Sequence, residues 1–265
     1  MIITKIIGGL GNQMFQWTFG RALALEKNTY MHIDIDGYNN QQGLTPRKFE
    51  LGLFNNLRYQ TFDKKELAVS DRYWAIVRDS FSYLNTLSVI ENLGNVSIYL
   101  DGYWQSEYYF QKYKDVIYSD FLPSFSEVAK CKAAIEPDSI SIHVRRTDYV
   151  TSNGYHPVQP ISYFYSGIEA IGDYNKLYVF SDEIDWCKTN LKFDRMVFME
   201  GRTGIEDMRL MSFCKHNIIA NSSFSWWAAW LNQNPNKKVI APSKWFGPQA
   251  NLHTGDIIPA EWITI

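Results

Sequence analysis

The sequence predicts an α/β fold built on a parallel, doubly wound sheet, and three observations predict it. The chain opens as a strand, a glycine-rich turn, a helix and a second strand. From residue 139 onward strand-like and helix-like runs alternate. The polar residues of chemical interest fall just after successive strands, where open parallel sheets bind their ligands.

Ile2 to Ile7 reads as a buried strand, and Gly8-Gly9-Leu10-Gly11-Asn12 as the tight loop after it. Gln13 to Lys27 reads as a helix, because Phe15, Phe19, Ala22 and Leu23 recur on one stripe. Tyr30 to Ile35 is the next strand, and the polar stretch from Gly37 to Arg47 a loop. The middle predicts a helix over Asp63–Arg78, a strand over Val96–Tyr103 and an aromatic helix over Glu107–Tyr118. Phe121-Leu122-Pro123-Ser124 is the best boundary, giving domains of residues 1–122 and 123–265. Beyond it, strands are expected over Ser139–Arg145, Lys176–Ser181, Arg195–Met199, His216–Ala220 and Lys238–Ala241. Helices are expected over Ser162–Ile171, Ile184–Leu191, Ile205–Lys215 and Phe224–Gln233.

The bulk properties narrow the function. A formal net charge of -2 gives no global basic field for nucleic acid, so the basic residues that matter act locally. Cys131, Cys187 and Cys214 have neither metal-ligand spacing nor a disulfide framework and fit reduced thiols in a cytoplasm. No apolar run reaches a membrane-spanning length, so any membrane contact is peripheral. Asp34-Ile35-Asp36 puts two carboxylates on one strand face, but no His or third acid follows at ligand spacing, so no metal is expected. The sequence G-x-x-x-x-G-K-[ST] is absent, which argues against a P-loop kinase or NTPase.

The most informative segment is Ser141-Ile142-His143-Val144-Arg145-Arg146-Thr147-Asp148-Tyr149. Strand alternation sends His143 and Arg145 to one face, and Arg146, Thr147 and Asp148 crowd the strand's exit. Two guanidiniums at a strand end form permanently charged forks suited to a diphosphate held without a metal. Asn221-Ser222-Ser223-Phe224-Ser225-Trp226-Trp227 joins a strand to a helix. Capping alone accounts for one Ser or Asn there; three hydroxyls and an amide point to an anion at the helix N-terminus. Ser181-Asp182-Glu183 follows the next strand; Asp182 either caps a helix or accepts from a sugar or base. Asp207 lies near a helix start, where acids are favoured anyway.

Four segments in order, Gly8-Gly9-Leu10-Gly11-Asn12-Gln13-Met14-Phe15-Gln16, His143 to Tyr149, Phe180-Ser181-Asp182-Glu183 and Asn221 to Trp227, resemble the ordered motifs of the α-1,2-fucosyltransferases, glycosyltransferase family 11. The resemblance spans nearly the whole chain. It implies a GT-B-like fold of two Rossmann-like halves facing a central cleft, with residues 1–122 on the acceptor side and 123–265 binding GDP-fucose. It implies GDP-β-L-fucose as donor, inversion at the fucose carbon, no metal or other cofactor, and the 2-hydroxyl of a galactoside as acceptor. Bacterial surface polysaccharide (O-antigen) synthesis in the cytoplasm, at most peripheral to the inner membrane, follows from it. The family usually carries Gly where this chain has Thr147, a residue that the related α-1,6-fucosyltransferases carry, and its third motif usually ends in two Asp where this chain has Asp182-Glu183. Both departures bear on the acceptor.

Carried over by position, Arg145 resembles the arginine that grips the β-phosphate, with Arg146 beside it. His143 resembles a residue on the guanine side, and Asp207 the acid that reads the guanine N1–H and N2 amine. Ser222, Ser223 and Ser225 resemble the hydroxyl cluster at the phosphates, next to Asn221, and Asn12 resembles the loop asparagine near the donor. Asp182 joins this donor set. Asp148 and His156 are the candidate bases, with Glu107 an outsider. The alternatives are a non-catalytic nucleotide- or carbohydrate-binding module and a fucosyltransferase of other linkage.

Overall fold

Strand β1 (Ile2–Lys5) forms from a β-branched run whose Ile2 and Ile3 are fully buried, as a central parallel strand requires. The chain turns at Gly8, whose φ of +79° is left-handed, and enters α1 (Leu10–Glu26) at once. The helix starts earlier than the sequence predicts, so Asn12 sits in its first turn rather than in a loop. A computed structural model describes residues 1–39, 41, 46–63, 74–152 and 154–265, and the chain divides into two compact units. Unit 1 is Met1–Leu122 with Gly255–Pro259, and unit 2 is Pro123–Thr254 with Ala260–Ile265.

Unit 1 adds β2 (Met31–Asp34), β3 (Gln60–Thr61), β4 (Trp74–Arg78), α2 (Tyr83–Glu91), β5 (Ser97–Asp101) and α3 (Lys114–Asp120). Its strands are all parallel, in the order β3-β2-β1-β5-β4, and the order reverses between β1 and β5. Two expectations for this unit are overturned. Of the helix expected over Asp63–Arg78, residues 64–73 lie outside the described ones, and the last five residues form β4 instead. Val77 is buried and Ile76 exposed there, the period-two pattern of an edge strand paired with β5 from Trp74↔Ser97 to Arg78↔Asp101. The aromatic helix expected over Glu107–Tyr118 is two 3-10 turns, Glu107–Tyr109 and Gln111–Tyr113, followed by α3. The adjacent rings of Tyr109 and Phe110 are both buried, one against Phe19 and Trp104 and the other against Phe15. A narrow helical stripe does not bury neighbours in sequence side by side.

Unit 2 opens with α4 (Phe125–Ala134), whose capping box pairs Ser124 with Glu127. It continues through β6 (Ser139–Val144), α5 (Thr147–Thr151), α6 (Ile161–Ile171), β7 (Lys176–Ser181), α7 (Ile184–Asn190), β8 (Met196–Phe198), α8 (Gly204–Phe213), β9 (His216–Ile218), α9 (Ser223–Leu231), β10 (Val239–Ala241) and β11 (Ile263–Thr264). The six strands are parallel in the order β11-β10-β9-β6-β7-β8, with the reversal between β6 and β9. β6 is buried along its whole length; Ile140, Ile142 and Val144 pack with Leu177, Val179, Ile218 and Ile240, and with Tyr163 and Phe164 of α6. The strand rhythm read from residue 139 onward is therefore the real one, and both sheets have the α/β, doubly wound character that the sequence predicts. The sequence reading did not anticipate α2, α4, α5 or β11. The three cysteines are buried and free. Among the described residues no helix is long and apolar enough to cross a membrane.

Candidate active site

β6 is the strand at which the unit 2 sheet reverses, so its carboxyl end is a topological switch point, the usual place for a ligand in such a sheet. The chain leaves β6 at Arg145 and Arg146. A strap from the neighbouring strand fixes both: Asp182, just past β7, accepts the Arg146 backbone N–H at 3.0 Å, Nη1 of Arg145 at 2.9 Å and the Thr147 hydroxyl. Arg145 Nη2 also donates to Asp148 Oδ1 at 2.6 Å, and the guanidinium lies 5.5 Å from the Tyr149 ring centre. Arg145 Nε is buried and has no hydrogen-bond partner among the described residues. Arg146 Nε donates to Glu183 at 2.9 Å and its guanidinium stacks 3.8 Å over Trp186. Two guanidiniums are thus held stiffly by three carboxylates, which orient them and offset part of their charge.

Across the reversal, the loop after β9 leads into α9. No side chain caps α9 among the described residues: Ser222 is its N-cap, yet the Ser222 hydroxyl makes no capping bond. The first-turn N–H groups and the positive end of the helix dipole are therefore available to an anion. Asn221 is occupied. Its Nδ2 donates to the Trp245 carbonyl at 2.9 Å, its Oδ1 accepts from Gln159 at 3.0 Å, and its own carbonyl accepts the Tyr149 hydroxyl at 3.0 Å. Asn221 thereby ties three loops together. Ser225 is fully buried and its hydroxyl donates to the Ala220 and Ser222 carbonyls, so only Ser222 and Ser223 of the three serines are placed at the helix tip.

Phe224, in the first turn of α9, connects this end to His143 and to the start of α8. The buried His143 ring packs against Phe224 with centroids 5.6 Å apart, and its Nδ1 has no partner among the described residues. Burial drives its pKa down to about 4, with Arg145 adding to that and Asp182 opposing it, so the ring is neutral near pH 7. Phe224 in turn lies against the start of α8, where a Cβ on Gly204 would meet the Phe224 ring at 3.7 Å. A capping box of Thr203 and Glu206 starts that helix, and Asp207 sits in its first turn. Burial pushes Asp207 up to about 6, against the pull of Arg202, whose Nε donates to it at 3.2 Å.

His156 stands beside the arginines but in different company. It stacks on Tyr149 with centroids 4.7 Å apart and meets Tyr155 and Phe246 at 4.8 and 5.6 Å. Burial lowers its pKa, Asp148 opposes and Arg145 assists. Asn12 belongs to unit 1, where its Oδ1 accepts from Gln105 at 2.8 Å. Glu107 is buried in its 3-10 turn. Asp34 is buried and accepts the Tyr99 hydroxyl at 2.5 Å and the Asp36 N–H at 3.0 Å. Sequence reasoning missed the partners that hold the site: Glu183 and Trp186 on Arg146, Tyr149 on Arg145, and Arg202 on Asp207. The Thr203-x-x-Glu206 pattern was the one available signal for the start of α8.

The model of glycosyl transferase family 11 matches residues 1–265 of this sequence. The chain belongs to glycosyl transferase family 11. An α-1,2-colitosyltransferase of Escherichia coli is 33% identical across 100% of this chain and 99% of its own length. The O-antigen biosynthesis glycosyltransferase WbnK of Escherichia coli is 31% identical across 97% of this chain and 98% of its own. Among solved structures, POFUT1 in complex with GDP superimposes with a TM-score of 0.51 at 12% identity, covering 91% of this chain and 97% of that one. The family 11 chain thus has the GT-B-like fold, built from two Rossmann-like units, and its chemistry is glycosyl transfer.

Proposed function

We propose that this glycosyltransferase moves L-fucose from GDP-β-L-fucose to the 2-hydroxyl of a galactoside, with inversion and without a metal, in the assembly of a bacterial surface polysaccharide. One observation carries the reading. Arg145 stands at the switch point of the unit 2 sheet, its guanidinium fixed by Asp148 and Asp182, and the loop entering the uncapped α9 lies on the adjoining strand. A diphosphate leaving group needs fixed positive charge where its bridging oxygen becomes anionic, and a guanidinium with a helix terminus supplies it. The Asp207 carboxylate suits guanine, because it accepts two N–H bonds that adenine does not offer. POFUT1, which shares the fold, was solved with GDP. The WbnK relative, named for O-antigen biosynthesis, supports the polysaccharide context.

In the reaction the acceptor oxygen bonds to the anomeric carbon as the bond to the β-phosphate oxygen breaks, and GDP leaves with the electron pair. The acceptor proton passes to Asp148 or His156; His156, neutral through burial, is able to take it. The transition state has oxocarbenium character, so proton removal comes late.

A second reading is favoured by the full-length colitosyltransferase relative: the sugar transferred is colitose rather than fucose, on the same phosphate chemistry. Both readings are tested together. Wild type and Arg145→Ala are assayed with fucosyl and colitosyl nucleotides and a panel of β-galactosides, with and without EDTA. Arg145→Ala is expected to lose about two to three decades in turnover, equivalent to roughly 3–4 kcal/mol, with EDTA having no effect. Unchanged turnover in the variant would remove the donor-site assignment, and manganese-dependent rescue would remove the metal-free mechanism.

A further inference from the structure

Unit 1 has a switch point of its own, at the carboxyl ends of β1 and β5, and the phosphate chemistry makes no use of it. The turn after β1 delivers Asn12 and the turn after β5 delivers Gln105, whose Nε2 donates to Asn12 Oδ1 at 2.8 Å. The turn after β5 is rigidly built, together with the turn after β4. Phe81, after β4, and Trp104, after β5, are each held at φ +55°, a left-handed conformation that bulky residues avoid. Asp79 clamps both: Oδ1 accepts the Phe81 N–H at 2.9 Å, and Oδ2 accepts the Tyr103 and Trp104 N–H groups at 3.0 and 2.8 Å. A Cβ on Gly102 would fall 2.2 Å from the Asp79 Cβ, so only glycine fits between them. On the other side Gly8, at φ +79°, leaves room for the Asn12 amide; a Cβ there would press on Asn12 Nδ2 at 3.0 Å. Strain of this kind persists where the surroundings over-determine it, and it concentrates at ligand sites.

The amide pair is left half satisfied. Gln105 Oε1 is buried without a hydrogen-bond partner among the described residues. Asn12 Oδ1 is taken by Gln105, while its Nδ2 remains a donor with no partner among the described residues. One fixed donor and one fixed acceptor complement sugar hydroxyls, each of which both accepts and donates.

We propose that Gln105 and Asn12 form a sugar-hydroxyl subsite in unit 1, in which Gln105 fixes the Asn12 amide and accepts a hydroxyl proton on its own Oε1. The subsite rests on the transferase reading, and the hydroxyls belong either to the galactoside acceptor or to the sugar of the nucleotide donor.

The test is Gln105→Met, which keeps length and volume and removes both amide functions. Calorimetry gives affinities for GDP and for GDP-fucose, and saturation-transfer NMR gives the affinity for methyl β-galactoside in the presence of GDP. Steady-state kinetics and melting temperature accompany them. The expected result is a loss of at least about fivefold for one sugar ligand, with its KM raised alike and kcat within about twofold. GDP affinity and melting temperature stay unchanged. A loss for methyl β-galactoside alone assigns the acceptor; a loss for GDP-fucose but not GDP assigns the donor sugar. If Gln105→Met melts early, Gln105→Glu, which keeps the shape and the acceptor oxygen but no longer donates to Asn12, carries the same comparison. Sugar affinities that do not move, or that fall only in step with GDP affinity and melting temperature, overturn the subsite. Sugar binding that depends on Gln105 in a protein without transfer activity would keep the subsite and refute the transferase reading.

Discussion

Asp207 and His143 are driven in opposite directions by one cause. Burial penalises the charged form of each, so the carboxyl rises to about 6 and the imidazole falls to about 4. At neutral pH Asp207 is therefore mostly a carboxylate and His143 an uncharged ring. The linkage has a definite sign. The raised carboxyl contributes stability that is fully present below the ordinary Asp range and is lost as pH rises through about 6. The proposed guanine contact runs the other way, because only the ionised group accepts both N–H bonds. GDP affinity should weaken about tenfold between pH 7 and pH 5 in the wild type, as the carboxylate fraction falls with a pKa near 6. Asp207→Asn should bind GDP weakly with a flat profile. Calorimetric titrations across that range check it; a wild-type profile as flat as the variant's would detach Asp207 from the base.

Elements differ in how openly the sequence announces them. β6 and β7 were legible because the core covers both their faces, and Ile140, Ile142, Val144, Leu177 and Val179 mark them as apolar runs. β4 was not, because an edge strand with exposed Ile76 and buried Val77 is also consistent with a helix over a short window. The turns at Glu107–Tyr113 were misread because aromatic burial there follows tertiary partners rather than a period. In the candidate site, the strand-end positions of Arg145, Arg146, Asp182 and Ser222 follow from the rhythm of the sheet. The orphaned Gln105 Oε1, the Asp182 strap and the spent hydroxyl of Ser225 depend on contacts far apart in sequence, and no local pattern records them. The start of α8 joins the two kinds of information. Its capping box is local: Glu206 Oε2 accepts the Thr203 N–H at 2.8 Å and the Thr203 hydroxyl at 2.7 Å. The turn it fixes carries Asp207. Thr203→Ala should cost about 1 kcal/mol in urea unfolding and weaken GDP several-fold by loosening that turn. Lost stability with unchanged GDP affinity would confine the box to folding.

The whole chain is threaded so that its last residues serve both units. Gly255–Pro259 belong to unit 1, where Asp256 accepts the Tyr83 N–H at 2.8 Å at the start of α2. The chain then returns to unit 2. Trp262 is buried and packs on Trp226 with ring centroids 5.4 Å apart, and β11 extends the sheet beside β10. The ladder is completed by Ile265 N–H to Ala241 and Ser243 N–H to Ile265, at 3.0 and 2.8 Å. Removing residues 255–265 should therefore act on unit 2 through two losses at once. A buried Trp contributes about 3–5 kcal/mol on truncation to Ala, and β10 becomes an unpaired edge. For a unit of this size each kcal/mol moves the melting temperature by several degrees, so the truncated chain should melt at least about 10 °C lower by calorimetry. Trp262→Ala alone should reproduce most of that shift. Asp256→Ala, which removes the acceptor at Tyr83 and no core side chain, should shift melting far less. An unshifted transition in the truncated chain would mean that the tail lies on unit 2 without stabilising it.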